Sequence, residues 1–566
     1  MNKKNIILVS ILSTAILISS IGNLLLLLNY PQPSHDFSLP REQTLIVGIS
    51  QGPYSLEIVD SMDWSFNDAF YQVVETLFAH DLRNPELPRI NLLAESYHWE
   101  NKTIVHIKLH EGILFHDGTF FNATAAKWNL DRLLYLTNCT GTNHGEVAWT
   151  QYDVWRRSDR RTPIIKSVSI NGEYNITITL TDPYGPLLNL LTHLNAAMLS
   201  PTAHKNDTTR FIELTTDKLV GTGPFVYVRY IPGVEVVLSR WEAYWEHVAY
   251  FGYLQFKIFD DAEEIDTAML NGQIDIPQMT SRDSLPAFEA DENVVVKHYT
   301  DETGIPYLGY MYIAFNNDRL NVTWRKTLSY AINYTHIIEE LKENRVVRAN
   351  SPISPGFGLF HNNTVRAADY NITKAREIMV SMGHGDMSWT DAQWIAVAES
   401  TNPFLRVNYT YYFLNQKDIG LSLSETIRYI GVSVDMYDTM WEFFEYCPDC
   451  FGREDGCMTV TSWGPDYLDP YSILDPLTRM SYYYPQINDT TLNAMIELAL
   501  ETTDDTERTK IYKNIQWYYT KIGFFNAPLY HVKIYYVHSA DLRNIAYNSR
   551  DIFQAYGIWR VAPPIE

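Results

Sequence analysis

Leu93-Ala94-Glu95-Ser96-Tyr97-His98-Trp99, Thr103-Ile104-Val105-His106-Ile107-Lys108-Leu109 and Gly112-Ile113-Leu114-Phe115-His116-Asp117-Gly118 follow one another closely and lead into Asn122 to Arg132. Val105, Ile107 and Leu109 alternate with polar residues, which predicts a half-buried strand. His116-Asp117-Gly118 reads as a turn. Asn122 is a candidate N-cap for a helix that places Ala126, Leu130, Leu133 and Leu134 on one face. A strand, a turn and a capped helix within forty residues predict a mixed α/β body.

The same pattern continues outward. Thr44 to Ile49 is a β-rich segment stopped by Gln51-Gly52-Pro53, and Ser167 to Ile170 with Tyr174 to Leu180 flank Asn171-Gly172, a signal for a tightly turned hairpin. Helices are predicted from Asp260 to Leu270, stopped by Gly272 before Ile274-Asp275-Ile276; over Trp324, Leu328, Ala331 and Ile332; and over Leu492, Met495, Ile496, Ala499 and Leu500. Asp504 and Glu507 resemble a capping box before Ile511, Ile515, Tyr518, Tyr519 and Ile522, whose aromatics are expected in the core.

With 566 residues the chain is too long for one core, so two or three lobes are expected. The formal charge of -23 argues against a phosphate-tracking surface and hence against nucleic acid as a partner. Ile6 to Leu28 carries no charge, follows Lys3 and Lys4, and is long enough to span a bilayer. Residues 6–28 are therefore read as an uncleaved membrane anchor with the body outside, with a cleaved signal peptide as the alternative, and residues 29–40 as a linker. An outside location agrees with Asn-x-Thr sequons at Asn101, Asn122, Asn138, Asn175, Asn206, Asn321, Asn333, Asn362, Asn371, Asn408 and Asn488. It also agrees with four cysteines, Cys139, Cys447, Cys450 and Cys457, read as disulfide candidates in preference to a metal site, since no second Cys-x-x-Cys or His pair accompanies them.

Catalytic patterns are sparse. Gly48-Ile49-Ser50-Gln51-Gly52 matches the nucleophile-elbow pattern, but Pro53, Tyr54 and Ser55 follow it without helical periodicity. There is neither a phosphate loop nor a His-Glu-x-x-His helix. A membrane-anchored serine hydrolase acting through Ser50 is kept as the lesser alternative to a protein that binds without chemistry, cofactor or metal.

In order along the chain, several segments resemble extracellular solute-binding proteins of family 5, the peptide- and nickel-binding components of ABC importers. The block from Leu93 to Arg132 carries the most specific likeness. Gly221-Thr222-Gly223-Pro224-Phe225, Tyr230-Ile231-Pro232-Gly233, Tyr244-Trp245, Leu270 to Asp275, Ala314-Phe315-Asn316, Arg325 to Ile332, Tyr370 to Met379 and Trp463-Gly464-Pro465-Asp466-Tyr467-Leu468-Asp469-Pro470 follow. The likeness runs from Thr44 to about Ala540.

The resemblance implies a periplasmic-binding-protein-like Venus flytrap (type II, cluster C-like) with an extra subdomain. Lobe I would comprise 41–66, 197–290 and 527–566, the extra subdomain 67–196 and lobe II 291–526. It implies an oligopeptide or similar extended solute as ligand, with an oligosaccharide or metal chelate as alternatives, and ABC permease and ATPase subunits as partners of a monomer. Asp466 would pair with the ligand's α-ammonium, with Trp463 and Tyr467 at the matching spacing. Strand-like backbone pairing would occur near Ser50, Gln51, Gly52 and Tyr54 and from Thr461 to Gly464. The family's Leu-Asp-Pro after the first strand is here Leu56-Glu57-Ile58.

Overall fold

Alternating burial makes the strands and asymmetric burial the helices, as in the quoted block. In the Ile104–Leu109 strand, Val105, Ile107 and Leu109 are buried while Ile104, His106 and Lys108 are half-exposed. Asn122 caps the Ala123–Leu136 helix by accepting the Ala125 N–H, and Ala126, Leu130, Leu133 and Leu134 turn inward. The computed structural model describes residues 39–53, 55–59, 64–139, 154–159, 161–208, 212, 218–411, 413–438, 457–478 and 487–561. The apolar run from Ile6 to Leu28, Tyr54, Cys447 and Cys450 lie outside them, and no helix among the described residues is long and apolar enough to cross a membrane.

The chain divides after Thr44. Within residues 45–566 three sheets carry the architecture. The first has five strands in the order Ile276–Pro277, Thr44–Ile49, Tyr253–Ile258, Glu235–Arg240 and Phe225–Ile231. Four antiparallel strands, Ala94–Asn101, Ile104–Leu109, Asn175–Leu180 and Ile165–Ile170, form the second. The third has six: Val346–Arg348, Asn526–Val532, Tyr310–Phe315, Cys457–Trp463, Leu405–Tyr411 and Val432–Asp438. Asn526–Val532, from the stretch expected to begin the return to lobe I, pairs with Tyr310–Phe315 and so belongs to this sheet.

Two family-like motifs hold each other. Through Nε2 His116 meets the Gly223 carbonyl at 2.9 Å, and through Nδ1 it accepts the Gly221 N–H. Burial pushes its imidazole down to about 4, which keeps it neutral. A Cβ on Gly221 would sit 2.2 Å from the Val73 carbonyl, so only glycine fits beside this turn. The His-Asp-Gly and Gly-Thr-Gly segments are thus a structural junction.

Three local expectations are modified. The Asn171-Gly172 hairpin forms, but it closes by the Asn171 N–H on the Asn175 carbonyl, a wider loop than a two-residue turn. The capped helix Asp505–Trp517 runs into a π-helical segment, Tyr518–Gly523, whose extra residue per turn rotates Ile522 to the surface while Tyr519 stays buried. Several sequons have structural duties: Asn122, Asn321 and Asn371 cap helices, and Asn408 is buried in a strand.

Candidate functional site

The Trp463–Pro470 segment leaves the six-stranded sheet from the end of its Cys457–Trp463 strand. That strand pairs along its whole length with Tyr310–Phe315, but on its other edge the pairing with Leu405–Tyr411 stops at Thr459. Among the described residues no strand pairs with that edge at Thr461 and Ser462. The following turn is fastened to the Tyr471–Thr478 helix through Ser472, whose carbonyl accepts the Trp463 indole N–H at 3.0 Å and whose hydroxyl accepts the Asp466 N–H at 2.8 Å. A Cβ built on Gly464 would have only the Tyr307 hydroxyl near it, at 3.9 Å, so the backbone there borders open space.

Its downstream half points inward. The Tyr467 ring is buried and its hydroxyl meets that of Tyr184 at 2.7 Å. Asp469 is fully buried, accepts the Tyr471 N–H, and receives Arg508 Nη2 on both oxygens at 2.7 Å, with Asn189 and Tyr512 completing its shell. Asp466 itself is half-buried at the turn. One eight-residue segment therefore carries an anchor at Asp469 and a half-buried aspartate at Asp466.

Ser50 ends the first strand and lines a cavity of about 510 Å³ together with Asp68, Gln278, Tyr307, Arg550 and Asp551. Gln51 is exposed, and among the described residues no helix follows Ser50 before Trp64, so the backbone there lacks the strand-to-helix elbow that an activated serine requires. Gly52 owes its size to its packing neighbours, since a Cβ there would lie 2.8 Å from Ile258 and 2.9 Å from Tyr230. Cys139 is half-buried and has no disulfide among the described residues, and no metal-ligating cluster occurs among them.

The cavity's charged groups escaped sequence reading. Asp68 accepts the Phe553 N–H at 3.1 Å and is also bonded by Gln278, yet burial, reinforced by Asp551, holds its carboxyl well above the usual range. Asp551, in the left-handed region with φ 56°, is open to the cavity while ringed by protein, and this burial pushes it up to about 6. Nothing but a turn-like Asn-Ser-Arg-Asp sequence announces them.

A second cavity of about 200 Å³ adjoins, sharing Arg550 and Ile552 to Gln554 with the first. Glu75 lies on its wall, receives the Tyr244 hydroxyl at 2.7 Å and the Trp245 indole at 3.1 Å, and is pushed up to about 7 by burial. Because the folded state binds this proton more tightly than the unfolded chain, its ionisation removes stability as pH rises from about 4.5 to about 7. Glu75→Gln is expected to raise stability at pH 8 by roughly 2–3 kcal/mol and to be neutral at pH 4. Paired thermal melts at the two pH values check this; equal effects at both would contradict it.

Residues 90–484 match the bacterial extracellular solute-binding proteins, family 5 Middle. The chain is 24% identical over 464 residues to the glutathione-binding protein GsiB of Shigella flexneri serotype 5b (strain 8401), an alignment covering 80% of this chain and 82% of that protein. HbpA2 from Haemophilus parasuis superposes with a TM-score of 0.77 at 18% identity, over 92% of this chain and all of the other. The periplasmic binding protein DppA from Helicobacter pylori, in complex with the peptide STSA, gives 0.67 at 17% identity over 91% and 98%. With a body of the same fold and a match across most of its length, this chain belongs to the family 5 extracellular solute-binding proteins.

Proposed function

We propose that the chain captures an oligopeptide, or a similarly extended solute, in a cleft between two lobes and hands it to an ABC permease and its ATPase. The observation that carries this reading is the strand edge at Thr461 and Ser462, which no strand pairs among the described residues and which runs into the open space at Gly464 and the half-buried Asp466. An extended ligand adds to such an edge through its backbone, which gives affinity without demanding one side-chain sequence. Asp466 supplies the charge for an ammonium group, and Tyr467 supports the turn from within. The names of the relatives favour the same class, one binding glutathione and one crystallised with a tetrapeptide.

Lobe I is assigned to 41–66 and 197–290 with the C-terminal segment, the extra subdomain to 67–196, and lobe II to the remainder, its sheet extending to Val532. The uncharged run at residues 6–28 supports attachment of a monomeric body outside the cell. Asp466→Asn is expected to weaken binding of trialanine and of glutathione about 30-fold or more, since a desolvated ion pair loses one partner. Isothermal titration tests this. Unaltered affinity for both would remove Asp466 from the site.

A further inference from the structure

The Asn548–Asp551 turn is built as a support for one side chain. Asn548 is fully buried, and its amide oxygen accepts the N–H groups of Arg550 at 3.1 Å and Ile552 at 3.3 Å. Its amide nitrogen donates to the Ile552 carbonyl at 2.9 Å, while its own N–H reaches the Tyr536 hydroxyl. The rigid turn places the Arg550 guanidinium on the wall common to both cavities. Among the described residues seventeen other arginines and lysines have a carboxylate within 4.0 Å, but none stands that close to Arg550, and its guanidinium makes no hydrogen bond among them.

Asp551 lines the same cavity but forms no ion pair with Arg550, and the histidines and tyrosines that feel the guanidinium carry no opposing charge. His80 and His193 are each pushed down to about 3, first by burial and then by Arg550 itself, and so are neutral. The Tyr307 and Tyr71 hydroxyls, which also feel Arg550, are raised by burial and stay protonated. His80 binds the Leu87 carbonyl through Nδ1, which leaves its buried Nε2 as an acceptor with no partner among the described residues, on the wall of the smaller cavity. An unpaired guanidinium beside an unused acceptor, in a protein of charge -23, is suited to a ligand anion that carries a donor next to it.

We propose that Arg550 receives a carboxylate of the bound ligand, at the junction of the main cavity and the side pocket. The inference rests on the peptide-capture reading and adds a second polar anchor, of opposite sign to Asp466. The carboxylate is either a peptide C-terminus or an acidic side chain. Titration of trialanine, trialanine amide and Ala-Asp-Ala amide into wild type, Arg550→Gln and Arg550→Lys separates these sources. Wild type is expected to bind at least one of the two carboxylate-bearing peptides about tenfold or more tighter than trialanine amide; Arg550→Gln erases that preference without weakening the amide, and Arg550→Lys restores part of it. Selectivity for trialanine identifies the C-terminus, and selectivity for Ala-Asp-Ala amide the side chain. A preference that survives Arg550→Gln, or no preference in wild type, overturns the assignment and leaves peptide capture standing. Wild type that binds none of the three overturns peptide capture, and this assignment with it.

Discussion

Arg508→Met is expected to destabilise the protein by about 3–5 kcal/mol, because it leaves Asp469 ionised and fully buried with its principal counter-charge gone. Methionine keeps much of the volume, so the loss reports charge more than packing. Asn189 and Tyr512 still donate to the carboxylate, but neutral donors do not replace a guanidinium bound to both oxygens. Adding Asp469→Asn to Arg508→Met should recover a large part of the loss, since no charge then remains buried. Thermal unfolding followed by circular dichroism gives both numbers. A double variant no more stable than the single one would show that the network acts through its hydrogen bonds and not its charge.

A comparable loss, again about 3–5 kcal/mol, is expected for Arg132→Met. Glu57 is wholly buried and its carboxylate is gripped by both Arg132 terminal nitrogens, while the N–H groups of Val59 and Ile212 fill the remaining acceptor positions. Arg132 in turn donates through Nε to the Asp207 carbonyl. One ion pair therefore fastens the segment after the first strand, the Ala123–Leu136 helix and the Asp207 and Ile212 loop. Urea titration of Arg132→Met should show the drop, and Glu57→Gln alongside it should show one as well, because it leaves the buried Arg132 cation without its counter-charge. If both variants unfold at the wild-type midpoint, the pair contributes nothing net.

Much of the fold was legible where local chemistry and burial agree. Asn122, Asp261 and Asp504 cap helices whose apolar faces repeat every three or four residues, and the Ile104–Leu109 strand alternates as its side chains do. Legibility failed where one residue answers to a distant partner. Glu57 looked like a departure from a familiar turn until Arg132, 75 residues on, was seen to bind it. The Asn-x-Thr pattern reads as an outward surface, and at Asn122, Asn321 and Asn371 the same asparagines also cap helices, a duty the pattern does not announce.

The site was legible in part for the same reason. Trp463, Gly464 and Asp466 form one continuous turn, and its neighbour Tyr467 is committed to Tyr184. Gly52 answers to Tyr230 and Ile258, so its lack of a side chain carries no information about a ligand. Arg550, Asp551 and Asp68 reach one cavity from segments almost 500 residues apart, and no spacing rule links them.

Asp275 accepts the Ile46 N–H at 2.8 Å and pairs with Arg560 at 2.5 Å, which joins the first strand, the middle of the chain and its last described strand at one point. The junction cannot close until residue 560 has left the ribosome. All five strands of the sheet that holds the first strand lie between residues 44 and 277, so it is the closing ion pair and not the strand pairing that waits through nearly the whole of synthesis.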